Sequence, residues 1–132
     1  MNQNNTTAFA KDNMIRVSPL KLSFIAKSIV NKKVNNAINQ LKFSEKRVSK
    51  NVLKVLNAAI ANAENNKQLD IDNLFIKEAY VGKSLRMKRW RPRAKGRAGS
   101  IIKPFSKITI VVEERLEKKK DNMISILDCT LR

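Results

Sequence analysis

Between positions 79 and 112 the chain carries no Asp or Glu, yet the same stretch holds ten Lys and Arg: Lys83, Arg86, Lys88, Arg89, Arg91, Arg93, Lys95, Arg97, Lys103 and Lys107. A solvated protein surface normally mixes charge signs, because like charges crowded along one segment repel each other. A run of this kind belongs to a fold only if something outside the chain neutralises it. The whole sequence shares the bias: 28 Lys and Arg stand against 11 Asp and Glu in 132 residues, a formal net charge of +17. Nucleic acid is the polyanion that best matches such a footprint, with an anionic membrane surface second.

Several function classes recede on composition. Histidine is absent, which removes the usual proton shuttle and the commonest transition-metal ligand, so neither a metal site nor a cofactor is expected. Glu64, Asp70, Asp72 and Glu78 are carboxylates without a histidine, serine or metal-ligand arrangement around them, and they read as caps or as counter-charges for lysines rather than as catalysts. The one cysteine, Cys129, has no partner in the chain, which fits a reducing compartment. No apolar run approaches the roughly 18 residues that cross a bilayer, and the start lacks a signal-peptide pattern, so a protein that is neither exported nor membrane-bound is expected.

The length suits one domain. Residues 1–7 read as a disordered N-terminus, residues 8–113 as a single RNA-binding globular domain, and residues 114–132 as a C-terminal extension, helical or disordered. Met14, Ile15 and Val17 suggest a first strand within residues 9–17. Ser18 followed by Pro19 predicts a helix start, with Leu22, Ile25, Ala26 and Ile29 as its apolar face and Asn31 as its terminator. Val34, Ala37, Ile38 and Leu41 form the stripe of a second, short helix. Ser44 offers a cap to a third, with Glu45 in its first turn. Its stripe runs through Val48, Val52, Val55, Leu56, Ala59, Ile60 and Ala63, and Asn65 and Asn66 end it.

From Leu69 the texture becomes strand-like through Ile71, Leu74, Ile76 and Tyr80. Ile108, Ile110 and Val112 then alternate with Lys107, Thr109, Val111 and Glu113. The two segments should pair antiparallel under one layer of helices. Between them, Ala94, Gly96, Ala98 and Gly99 allow a tight reversal, so residues 82–104 read as a long basic hairpin beyond the globular body, mobile alone and ordered by RNA. Arginine adds a planar fork of donors suited to phosphate and a face that stacks on bases. Trp90, surrounded by cations, either stacks on an unpaired base or lies partly buried against the hairpin's own backbone.

Four stretches carry a family resemblance: AAIANAENN at 58–66, LDIDNL at 69–74, MKRWRPRAKGRA at 87–98 and SKITIVV at 106–112. In this order and spacing they resemble the L twenty-two family of large-subunit ribosomal proteins, in its bacterial or organellar form. The resemblance implies an α+β fold, three helices packed on a small three-stranded antiparallel sheet with a long protruding basic β-hairpin. It implies a structural constituent of the large ribosomal subunit that binds large-subunit ribosomal RNA, supports assembly and lines the nascent-peptide exit tunnel. The expected RNA contacts are Arg16, Lys83, Arg86, Lys88, Arg89, Trp90, Arg91, Arg93, Lys95, Arg97 and Lys103, and the expected tunnel tip is Arg91, Pro92, Arg93, Ala94, Lys95, Gly96 and Arg97. Implied partners are that RNA, neighbouring large-subunit proteins and the nascent polypeptide, in the cytoplasm or an organellar matrix, with no membrane and no homo-oligomer. Asn31 departs from the glycine often found there in the family, and the stretch after residue 114 extends past the family's usual end. The rival reading from the same charge pattern is a DNA-architectural protein with basic arms.

Overall fold

In the computed structural model, residues 6–115 are described. Three strands and three helices follow one another as β1 (Thr7–Ile15), α1 (Pro19–Ile29), α2 (Val34–Lys42), α3 (Ser49–Lys67), a 3-10 turn (Ile71–Asn73), β2 (Leu74–Pro92) and β3 (Ala98–Glu114). The sheet is antiparallel throughout, ordered β1-β3-β2, so the last strand lies in the middle. This is the α+β arrangement implied by the resemblance, and β2 with β3 supplies the hairpin.

The alternation of β3 sets the core. Ile108, Ile110 and Val112 are fully buried, and their cross-strand neighbours Ala8 and Ala10 on β1 and Ile76 on β2 bury the same face. The helices close over it with the stripes expected of them: Leu22, Ile25, Ala26 and Ile29 from α1, Val34, Ala37 and Leu41 from α2, Val52, Val55, Leu56, Ala59 and Ala63 from α3. α3 lies across β1 and α1 against β2. The small side chains Ala8 and Ala10 on the strand and Ala59 and Ala63 on the helix permit close approach there, and the Asn62 amide donates to the Phe9 carbonyl across the gap at 3.1 Å.

Helix boundaries follow the sequence in some places and depart in others. Pro19 opens α1, but the Ser18 hydroxyl makes no cap bond; its carbonyl instead accepts the Leu22 amide at 3.2 Å. Past the end of α1, Asn31 takes the left-handed conformation (φ 61°), and its amide donates to the Ile76 carbonyl at 2.8 Å while the Ile76 amide returns to Lys32 at 3.0 Å. The turn thereby covers the outer edge of β2. α3 begins at Ser49, not at Ser44, because residues 44–48 form a turn closed beneath the buried Ser49, whose hydroxyl donates to the Lys46 carbonyl at 2.6 Å. It also runs past Asn65 and Asn66 to Lys67. The left-handed residue is Gln68 (φ 54°), where the amides of Gln68 and Leu69 turn back to the carbonyls of Glu64 and Ala63. Ile71, read as strand, lies in the 3-10 turn. In the first strand the residues facing the core are Ala8, Ala10 and Ile15, and Met14 is exposed.

Two register shifts mark β2, one between Ile76 and Glu78 and one between Lys83 and Arg86. Such bulges sharpen twist and bend the strand that carries them. The second falls where β1 ends, since Ile15 pairs with Ser106 and nothing on β1 reaches further along β3. From Arg86 opposite Pro104 to Pro92 opposite Ala98 the two strands continue as a ribbon with no third strand. Pro104 is tolerated at this point because β3 has a partner on one side only.

Ser106 pins the root of the ribbon: it is fully buried, and its hydroxyl donates to the Val17 carbonyl at 2.6 Å, joining β3 to the turn before α1. Replacing Ser106 with alanine leaves that part-buried carbonyl unpaired, and a loss of about 1 kcal/mol is expected in urea unfolding. Ser106→Thr, which keeps the hydroxyl donor, should lose less than Ser106→Ala in the same measurement.

Candidate nucleic-acid interface

The ribbon and its loop carry most of the cations singled out in the sequence. Residues paired directly across a ladder share a face. One side of the ribbon therefore presents Arg86, Lys88 and Trp90 with Ser100, Ile102 and Pro104, and the other presents Arg89 and Arg91 with Gly99, Ile101 and Lys103. Positive charge lies on both sides, so the ribbon is a basic rod rather than a one-sided patch. Lys83, Arg86, Lys88, Arg89, Arg91, Arg93, Lys95, Arg97 and Lys103 are all exposed. None of them forms an ion pair with a carboxylate among the described residues. Arg89 is held only locally, by a 2.9 Å bond to the Lys88 carbonyl and a 3.7 Å approach to the Met87 sulfur. Trp90 is 69% exposed and stands clear of the core.

At the tip, the Arg93 amide donates to the Arg97 carbonyl at 2.8 Å and closes a loop through Ala94, Lys95 and Gly96. Gly96 has φ 67°, the conformation for which the sequence marked it, with open space where a Cβ would stand. Lys95 also takes a positive φ, 61°, which the sequence did not signal. Gly99 has a different use, since a Cβ there would meet the Arg93 Nε at 3.0 Å; the missing side chain lets Arg93 fold across β3. Arg91, Arg93 and Arg97 thus gather with Pro92 and Ala94 around a hollow of about 560 Å3 at the tip.

Arg16, the remaining candidate, is not on the ribbon. It lies exposed between β1 and α1, beside the ribbon root, and the fold brings Lys21, Lys46 and Arg47 next to it and to Lys103. Those three were missed in the sequence. They come from α1 and from the turn before α3, and a Lys-Arg pair in a short loop gives no hint of which face it will share.

Glu45 precedes Lys46 in the turn before α3 without lining the hollow beside Arg16, and the carboxylates of β2, β3 and the 3-10 turn lie elsewhere. Glu113 and Glu114 end β3 at the opposite end from the tip, and Glu78 accepts a hydrogen bond from the Tyr80 hydroxyl, which holds that phenol above its ordinary pKa. Asp70 and Asp72 flank and enter the 3-10 turn, where Asp70 makes no side-chain cap bond. Glu113 pairs with Lys77 at 3.2 Å and with Arg115, whose guanidinium also lies over the Phe75 ring. Burial would push the Glu113 carboxyl up, but the bonds from Arg115 and Lys77 outweigh it and hold the group below its usual value.

A folded pKa below the unfolded one means that this carboxylate stabilises the fold above the unfolded pKa, and that the contribution disappears as pH falls through the folded value. Glu113→Gln should therefore lower the melting temperature at neutral pH, by an amount equivalent to about 1 kcal/mol. The difference from the parent chain should vanish in acid. Thermal melts of both proteins across the carboxylate range check this.

The sequence matches the family model described as Ribosomal protein L22p/L17e over residues 10–113. It is 55% identical over 112 residues to large ribosomal subunit protein uL22 of Rhodospirillum rubrum, covering 85% of this chain and 89% of that protein. To the protein of the same name from Paracoccus denitrificans it is 57% identical over 111 residues, 84% and 88% of the two chains. To that of Maricaulis maris it is 59% identical over 107 residues, 81% and 85%.

Proposed function

This chain belongs to the ribosomal protein L22p/L17e family, and from that premise we propose that it is a structural constituent of the large ribosomal subunit whose hairpin is anchored in folded ribosomal RNA. It is an architectural protein and not an enzyme. The observation that carries this reading is the ribbon itself: exposed cations on two faces, none of them ion-paired within the described chain. A rod that is positive on both sides gains most from a partner that surrounds it, which a folded polyribonucleotide does and a flat lipid surface does not. A two-stranded ribbon is marginal in water when alone, so the arm is ordered by the RNA it enters.

On this reading the contacts to RNA run along Lys83, Arg86, Lys88, Arg89, Arg91, Arg93, Lys95, Arg97 and Lys103, with Arg16 at the base and Trp90 stacking on an unpaired base. Neutralising these groups releases counterions from the RNA, so binding weakens steeply with salt. The tip from Arg91 to Arg97, through Pro92, Ala94 and Gly96, lines the nascent-peptide exit tunnel, and the globular body helps assemble the subunit beside neighbouring ribosomal proteins. The fold suits that division: the core is complete without the tip, whose residues are all exposed. The setting is the bacterial cytoplasm, or an organellar matrix.

Replacing Arg89, Arg91 and Arg93 together with glutamine should leave the helical circular dichroism and thermal unfolding nearly unchanged, because no core residue is touched. Incorporation into large subunits, followed by sedimentation of cell extracts, should fall several-fold. Undiminished incorporation at physiological salt sinks the role of the arm as anchor. The tunnel placement has its own test. A photo-crosslinking amino acid at Lys95 should capture radiolabelled nascent chain in stalled ribosomes, whereas the same probe at Lys54 on α3 should not; equal yields at both would reject it.

A further inference from the structure

A groove of about 970 Å3 opens where the ribbon root meets α1 and the turn before α3. Its lining includes five cations, Arg16, Lys21, Lys46, Arg47 and Lys103, and no carboxylate. Its other notable feature is apolar surface that the core leaves out: Leu20 is 82% exposed, Phe24 65% and Ile102 56%. Leu20 and Phe24 are one helical turn apart, so they form a ridge on α1 away from its buried stripe. The Lys46 ammonium stands 4.0 Å from the centre of the Phe24 ring and covers one of its faces, while the residue as a whole stays 65% exposed.

We infer that this groove binds an unpaired stretch of RNA, with one base stacked on Phe24 and the flanking phosphates held by the surrounding cations. The inference rests on the RNA-binding reading above and adds a second contact region, on the globular body. Three features favour a single RNA strand. A flat apolar ring set among separated cations matches the alternation of base and phosphate along a strand, whereas a duplex keeps its base faces covered. The groove is continuous with the ribbon root, since Ile102, Lys103 and Pro104 belong to both, and an adjoining hollow lined by Lys83 and Arg86 extends it toward the arm. Lys46 is a flexible cation on an exposed ring, a weak contact that a stacking base displaces, freeing the ammonium for a phosphate.

The test uses the full chain and a single-stranded oligoribonucleotide of about twelve nucleotides, alongside a blunt RNA duplex of the same sequence. Phe24→Ala should weaken single-strand binding roughly tenfold and leave duplex binding unchanged, while Phe24→Trp retains it. Because Phe24 is exposed, circular dichroism should show the fold intact. Changing Arg16, Lys21 and Arg47 together to glutamine should flatten the slope of log affinity against log salt by about 2 on the single strand. If Phe24→Ala binds as the parent does while the hairpin arginine variant loses affinity, the groove assignment fails and the RNA-binding reading stands. Equal losses on strand and duplex also overturn the stacking assignment. So does tighter binding of an oligoglutamate peptide than of RNA, which would make the groove a site for acidic protein. A parent chain that binds neither RNA overturns both readings.

Discussion

One strand, β3, serves two environments, and the rest of the molecule is arranged around that continuity. Its C-terminal half is the centre of the sheet, where Ile108, Ile110 and Val112 are buried between β1, β2 and the helices. Its N-terminal half leaves the body and pairs with β2 alone. The same hydrogen-bonded ladder runs through both, so the direction of the ribbon is set by the packed half. The buried Ser106, bonded to Val17, marks the junction, and the bulge between Lys83 and Arg86 lies beside it.

Charge is distributed along this axis with a physical logic. Along β2 and β3 the carboxylates fall at the end away from the tip, where Glu113 ties together Lys77 and Arg115. Toward the tip the acids stop and the arginines accumulate. In isolation the ribbon's charges repel each other, and no core holds it. A polyanion converts that liability into binding energy, because each phosphate contact replaces repulsion with a charge-assisted hydrogen bond. Globular core and arm thus differ in what can hold them: burial of apolar surface serves the core, whereas the arm has no such burial and, on the proposed function, takes its counter-charge from outside.

Much of the architecture was readable residue by residue. The stripes of the helices and the alternation at Ile108, Ile110 and Val112 bury the faces they announced. Asn31 adopts the left-handed turn its chemistry permits, and Gly96 the one that the reversal requires. Misplaced boundaries trace to local competition. Ser44 and Asn65 carry good capping chemistry, yet α3 starts and stops where Ser49 is buried and where Gln68 turns, since tertiary packing outweighs a local capping preference of about 1 kcal/mol. The C-terminal extension read at 114–132 falls almost wholly outside the described residues.

From the sequence alone came the periodicities, the acid-free basic segment and the motif at 87–98, because each is a property of neighbours along the chain. These suffice for the fold class, for the family and for a polyanionic partner. Only the tertiary structure decided that β3 is the central strand, that the ribbon's cations divide between two faces, and that Arg16, Lys21, Lys46, Arg47 and Lys103 surround an exposed phenylalanine. Pairing order and bulges are set by which apolar faces can be buried together. A groove assembled from α1, a distant turn and the third strand has no signature in any one stretch of chain.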